Sequence, residues 1–70
     1  MSPDEVKAAR QALGLTQRQL GDKLRLKPSS AERTVRRWES GDIPISGPAE
    51  VALRAFLAGF DPGEEGAGAT

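Results

Sequence analysis

Apolar residues recur at helical spacing near the start of the chain. Val6, Ala9 and Leu13 form one stripe, bounded by Ser2 and by Gly14. Ser2 is a good N-cap, the glutamate three residues later completes a capping box, and a glycine commonly follows the last residue of a helix. This pattern predicts a first helix over about residues 3–13.

The next segment repeats the arrangement on a smaller scale. Thr16 precedes it and Gln19 stands at the capping-box position, so we predict a second helix over about residues 17–24. Gly21 lies inside this helix, where glycine costs roughly 1 kcal/mol relative to alanine. We interpret Gly21 as a point of close approach by another backbone. The alternative is that an exposed site simply tolerates the glycine.

A third helix is predicted after a connector that contains Pro28, which forbids one continuous helix. We predict that this helix covers about residues 30–40, that Ser29 or Ser30 caps it, and that Gly41 ends it. A capping box would join Ser29 to the glutamate three residues later. The apolar stripe of this helix consists of Ala31, Val35 and Trp38.

A fourth helix follows Ser46 and ends near Gly59. Residues 61–70 are dominated by Pro, Gly, Glu and Ala, and we expect them to form a disordered tail. No segment shows the alternation typical of a strand. The sequence thus predicts an all-α fold in residues 1–60, a compact bundle of four to five helices, with a short fifth element near Phe60.

The fourth helix is too apolar to bury only one side. Glu50 and Arg54 are the only polar residues in positions 49–60. Ala52, Leu53 and Phe56 can serve the core of the domain. We predict that a second copy of the chain covers the other side, the alternative being that the tail folds over it. The predicted dimer surface consists of Val51, Ala55, Ala58, Leu57 and Phe60, of which the last two could serve either surface.

Composition then excludes several chemistries. The chain has 70 residues and contains neither His nor Cys. Disulfides, thiolate metal sites and Ser-His-Asp catalysis are therefore excluded, and an enzyme becomes a remote interpretation. No apolar run approaches a membrane span and no signal peptide is evident, so we expect a cytoplasmic protein that acts by binding.

The formal net charge of zero conceals a separation of charge along the chain. Residues 18–37 hold seven basic and two acidic side chains, a net charge of +5, whereas residues 38–70 carry −5. On the third helix, Arg33, Arg36 and Arg37 lie opposite the apolar stripe. An exposed helix face with forked cationic donors suits the DNA major groove, where arginine can bind guanine or grip a phosphate. The alternative is an ordinary solvated face.

Residues 15–21 (LTQRQLG) and 34–41 (TVRRWESG) together closely resemble the helix-turn-helix of the lambda-repressor-like (XRE) family of DNA-binding regulators. The resemblance covers about residues 4–60. It implies that Gln17 binds a DNA phosphate and that helix three crosses helix two at Gly21. It also implies that Val35 and Trp38 belong to the core, and that a structural salt bridge joins Arg10 to Glu39.

The chain departs from this family in the turn before helix three, which is longer by about four residues. Either the helix starts one turn earlier, or the loop bulges toward DNA. The family's base-reading positions fall on Glu32, Arg33 and Arg36, and helical geometry suits the two arginines better than the glutamate. We expect phosphate contacts from Gln17, Arg18, Lys27, Ser29, Arg37 and Ser40.

These observations predict a sequence-specific regulator of transcription that binds double-stranded DNA. We expect a homodimeric repressor of phage or mobile-element type on an inverted-repeat operator, associated with the nucleoid, without a cofactor, metal or small-molecule ligand. In a chain of seventy residues we expect no ligand-sensing domain, so that regulation would come from protein concentration or a partner, and autorepression is a hypothesis on that basis. The alternative is an antitoxin-like interaction module that neutralises a partner protein.

Overall fold

The computed structural model describes residues 1–60. They form four helices, α1 (Pro3–Ala12), α2 (Gln17–Lys23), α3 (Ala31–Ser40) and α4 (Gly47–Leu57). This described part contains no strand, which confirms the all-α prediction, and no fifth helix. None of its helices is long and apolar enough to cross a membrane. The predicted tail, 61–70, lies outside the described residues.

Side-chain caps start α1, α2 and α4 at the predicted places. The hydroxyl of Ser2 accepts from the backbone N–H of Glu5, whose carboxylate accepts from the backbone N–H of Ser2. Thr16 and Gln19 form the same capping box at the start of α2, with N···O distances of 2.9 and 3.1 Å. The hydroxyl of Ser46 accepts from the third backbone N–H of α4. These contacts satisfy N–H groups that have no partner inside the helix.

The start of α3 differs from the prediction. Ser30 occupies the N-cap position, but its side chain accepts no cap hydrogen bond, and neither Ser29 nor Ser30 forms a capping box with Glu32. The Ser30 hydroxyl and the Ser30 backbone N–H both point to the carbonyl of Lys27, at 3.5 and 2.9 Å. Residues 27–30 therefore form a turn, and the additional residues do not extend α3 by a helical turn.

Helix α2 crosses α3 at Gly21. A Cβ atom placed on Gly21 would lie 2.6 Å from the Cβ of Ala31 and 2.9 Å from its carbonyl carbon and oxygen. Real Cβ atoms do not tolerate such distances, so only glycine allows the two helices to approach this closely. The structure thus confirms that Gly21 marks a close approach between backbones.

The core lies between all four helices. Helix α1 packs on α3 and α4, and α2 packs on α3. Partly buried hydrophobics from the connectors, such as Leu15 and Ile45, complete it. The buried core residues are Val6, Ala9, Leu20, Ala31, Val35, Trp38, Ala49, Leu53 and Phe56.

Helix α4 buries one side only. Leu53 and Phe56 are buried in the core, whereas 69% of Val51 is exposed. Leu57 and Phe60 are 44% and 46% exposed, so both lie at the surface of this chain rather than in its core. A largely apolar surface on α4 is left without cover from residues 1–60.

Candidate nucleic-acid interface

Helix α3 presents one buried and one exposed face. Val35 is completely buried and Trp38 nearly so, which anchors the helix in the core. Arg33, Arg36 and Arg37 are exposed on the remaining surface. The helical period of 3.6 residues thus turns three guanidinium groups away from the core, into solvent.

Two of these arginines form ion pairs at the protein surface. Nη2 of Arg36 lies 2.7 Å from Oε2 of Glu32, one helical turn earlier. Nε of Arg37 lies 2.6 Å from Oδ2 of Asp42. All four side chains are largely exposed, and such pairs contribute only about 0.2–1 kcal/mol. Both arginines can therefore exchange these carboxylates for a stronger anionic partner at little cost.

Sequence reasoning missed the role of Asp42. This residue follows the glycine that ends α3, and the chain turns there so that its carboxylate reaches back five residues to Arg37. No helical spacing rule predicts that contact, because the two residues are not on one helix. The clue in the sequence is only an acidic residue directly after a basic helix end.

The hydroxyl of Ser40, a predicted phosphate contact, already has hydrogen-bond partners within the protein. Its hydroxyl donates to the carbonyl of Arg37 at 3.1 Å and accepts from the backbone N–H of Asp42 at 3.4 Å. A hydroxyl has one hydrogen to donate. Ser40 would have to break its bond to Arg37 before it could donate to a phosphate.

Arg18 and Arg33 differ from their neighbours. Both are exposed, and no carboxylate among residues 1–60 forms an ion pair with either of them. Arg18 lies in the first turn of α2 and Arg33 in the first turn of α3. Two exposed guanidinium groups, one in the first turn of each helix, thus have donors available to a ligand.

A salt bridge joins α1 to the end of α3. Nε and Nη2 of Arg10 donate to the two carboxylate oxygens of Glu39 at 2.6 and 3.1 Å, and Nη1 donates to the carbonyl of Leu15 at 3.0 Å. The two side chains are only 14% and 6% exposed. The hydrogen bond to Glu39 raises the pKa of the Arg10 guanidinium above its ordinary value. The Arg10 guanidinium is therefore charged at physiological pH.

The same carboxylate holds Gln17. Nε2 of Gln17 donates to Oε1 of Glu39 at 3.4 Å. Gln17 is the first residue of α2, so Glu39 links the start of that helix to the end of α3. The salt bridge thereby orients a side-chain amide at the edge of the basic surface.

The turn between α2 and α3 carries Lys27 and Ser29, and both side chains are exposed. The turn leads directly into α3, which places these two residues beside the N-terminal end of that helix. Together with Arg33 in the first turn of α3 they place donors at the N-terminal end of that helix. The arrangement offers hydrogen-bond donors and positive charge to an extended anion.

Comparison with known proteins identifies the family of this chain. A model of the Helix-turn-helix family matches residues 6–49, from the first helix to the start of α4. No curated protein and no solved structure matches the chain. The match spans more than half of the sequence and includes both helices of the motif, with the exposed arginines between them and on α3. The chain belongs to the lambda-repressor-like (XRE) family of helix-turn-helix proteins, which are DNA-binding regulators of transcription.

Proposed function

We propose that this protein is a homodimeric repressor of phage or mobile-element type, that it binds an inverted-repeat operator through α3, and that it represses its own gene. The observation that carries the proposal is the exposed arginine face of α3 opposite its buried face. In this proposal α3 lies in the major groove.

Base readout rests on the first two turns of α3. Arg33 has donors that no carboxylate of residues 1–60 occupies, and an arginine can donate two hydrogen bonds to O6 and N7 of guanine. Arg36 reads a second base, and Glu32 orients its guanidinium through their ion pair. Glu32 itself is half exposed and can accept from the amino group of a cytosine.

Phosphate contacts surround this base-reading surface. Arg18, Lys27 and Ser29 are exposed, and Glu39 holds the amide of Gln17. Arg37 lies at the other end of α3 and must exchange Asp42 for a phosphate. The remaining phosphate contact, Ser40, is the weakest, because its hydroxyl donates within the helix end.

The exposed face of α4 supports the dimer. Val51 and Ala58 are exposed and Ala55 is partly exposed, at the spacing of one helical stripe. Leu57 and Phe60 extend this surface, and a cavity of about 200 Å³ next to Phe60 can receive a side chain of the second copy. A dimer through α4 presents two copies of α3 to half-sites about 34 Å apart.

DNA binding by purified protein tests the base-reading proposal. We expect specific binding to the DNA just upstream of its own gene, which weakens steeply as salt is raised. Arg33→Ala should weaken operator binding by about 1–3 kcal/mol and relax sequence preference, whereas Lys7→Ala, which removes an exposed charge from α1, should do neither. Unchanged operator binding by Arg33→Ala would contradict this placement of α3.

Size measurement tests the dimer against a second candidate. The exposed apolar face of α4 also fits an antitoxin-like module that neutralises a different protein. We expect the wild-type protein to elute as a homodimer and Val51→Glu to elute as a folded monomer, with Lys7→Glu as the control. Wild-type protein that elutes on its own as a monomer or an aggregate would contradict the homodimer and favour the antitoxin-like function.

A further inference from the structure

The arginines of this protein fall into two groups. Four of the seven form an ion pair with a carboxylate, namely Arg10, Arg36, Arg37 and Arg54. Within residues 1–60 the other three, Arg18, Arg25 and Arg33, have no carboxylate partner. All three lie between the start of α2 and the first turn of α3. Two of them already belong to the proposed DNA surface, and Arg25 has no assigned role.

The backbone of Arg25 is in an unusual conformation. Its φ angle is +62°, and it is the only residue other than glycine with a positive φ among the described residues. Arg25 follows Leu24, the C-cap residue of α2. The backbone N–H of Leu26 donates to the carbonyl of Gly21, and the N–H of Arg25 donates to that of Asp22, both at 3.0 Å. This is a Schellman motif, whose left-handed position is normally a glycine because a Cβ atom is sterically unfavourable there.

The other helix ends of the chain follow that preference. Gly14, Gly41 and Gly59 have positive φ angles at the ends of α1, α3 and α4. An exposed arginine thus stands only at the end of α2, where glycine would be the better residue for the fold. A backbone conformation that works against stability at one exposed residue indicates a functional reason for that side chain.

The position of Arg25 points to DNA. Leu26 is hydrogen-bonded to Gly21, and Gly21 contacts Ala31, the first residue of α3. Arg25 therefore lies in the turn beside the N-terminal end of α3, two residues from Lys27. The N-terminal end of a recognition helix is the part that approaches the bases, so the residues just before it lie close to the sugar–phosphate backbone.

We propose that Arg25 binds a backbone phosphate of the operator through its guanidinium group. The proposal rests on the DNA-binding function proposed above and adds a contact in the elongated turn. Arginine can donate two parallel hydrogen bonds to a phosphate. Since phosphates carry no sequence information, Arg25 contributes affinity and salt dependence rather than sequence preference.

The Arg25→Gly variant separates this role from a structural one. The variant removes the unfavourable left-handed Cβ, so its melting temperature should rise. Operator affinity near 0.1 M salt should fall by roughly 5- to 10-fold, and the slope of log K against log salt should become shallower by about 0.9. The ratio of operator to random-DNA affinity should stay unchanged. Arg25→Lys should retain most of the salt slope.

The outcomes of this experiment are distinguishable. If Arg25→Gly keeps wild-type affinity and salt slope while Arg33→Ala loses operator binding, the Arg25 contact is wrong and the proposed function stands. If the wild-type protein itself binds no DNA, the proposed function fails and the Arg25 contact fails with it. A lower melting temperature for Arg25→Gly would overturn the argument that this side chain works against the stability of the fold.

Discussion

Gly21 shows how one residue sets the distance between two helices. Alanine would improve the helix propensity of α2 by about 1 kcal/mol, yet its Cβ would collide with the backbone of Ala31. We expect Gly21→Ala to lower the free energy of unfolding by about 2 kcal/mol net, measured by urea denaturation. Gly47→Ala is the control, because a Cβ on Gly47 meets no atom within 4 Å. Equal stability of the two variants would contradict the close approach.

The salt bridge between Arg10 and Glu39 also depends on single residues. Arg10→Ala leaves a carboxylate that is 6% exposed without its charged partner, so we expect a loss of about 3 kcal/mol of unfolding free energy. Arg54→Ala breaks an ion pair at the surface and should cost less than about 1 kcal/mol. Thermal melts of both variants at one protein concentration make the comparison. Similar losses of unfolding free energy in the two variants would mean that the buried ion pair of Arg10 contributes no more to stability than the exposed pair of Arg54.

At the scale of the element, the helix starts are not equivalent. Thr16 caps α2 through its hydroxyl, whereas Ser30 has no cap hydrogen bond at the start of α3. Thr16→Ala should therefore destabilise the protein by about 1 kcal/mol, and Ser30→Ala by less than about 0.5 kcal/mol. Urea denaturation checks both values. A larger cost at Ser30 would show that its bond to the Lys27 carbonyl matters more than a cap does.

The N-termini of α2 and α3 explain why the start of α2 was easier to predict than the turn that leads into α3. A capping box is local, because its two residues stand three apart and both bonds form within one turn. Near Ser30, two serines and a glutamate predicted a capping box, but the Ser30 hydroxyl instead donates to the carbonyl of Lys27 within the turn at 27–30. The hydrogen-bond partner of Ser30 depends on the path of the chain after α2, and that path is set by the packing of α2 on α3.

For the whole molecule, acid sensitivity follows from two carboxylates. Hydrogen bonds from the backbone and hydroxyl of Ser2 lower the pKa of Glu5, and those from the N-terminal ammonium and Arg54 lower the pKa of Glu50. A carboxyl group whose pKa is lower in the folded state stabilises the protein at pH values above its unfolded-state pKa of about 4.3. This stabilisation is lost as the pH falls through the lowered pKa of the folded state. The free energy of unfolding should therefore decrease between about pH 6 and pH 3.

The variant that carries both Glu5→Gln and Glu50→Gln tests this cause. Its stability should depend less on pH in that range than the wild-type stability does, when both are measured by urea unfolding at the same protein concentration. Identical pH profiles would show that other carboxylates account for the acid sensitivity.

Net charge also has to be judged for the whole molecule. The sum is zero, but the basic residues of 18–37 surround α2, the turn and α3, while α4 and the end of the chain are acidic overall. DNA responds to the local field of a surface and not to the sum over the chain. The separation was visible in the sequence, and the fold exposes Arg33, Arg36 and Arg37 on the part of α3 that faces away from the core.

The sequence by itself determined the helices, the caps of α1, α2 and α4 and the buried face of α3. These features depend on residues within a few positions of each other or on the helical period. Only the tertiary structure decided the turn at 27–30, the pairing of Arg37 with Asp42, the surface position of Leu57 and Phe60 and the strained Arg25. The exposure of Leu57 and Phe60 depends on how the helices pack, and the other three features depend on the path that the backbone takes after a helix ends, which no local pattern of residue types encodes.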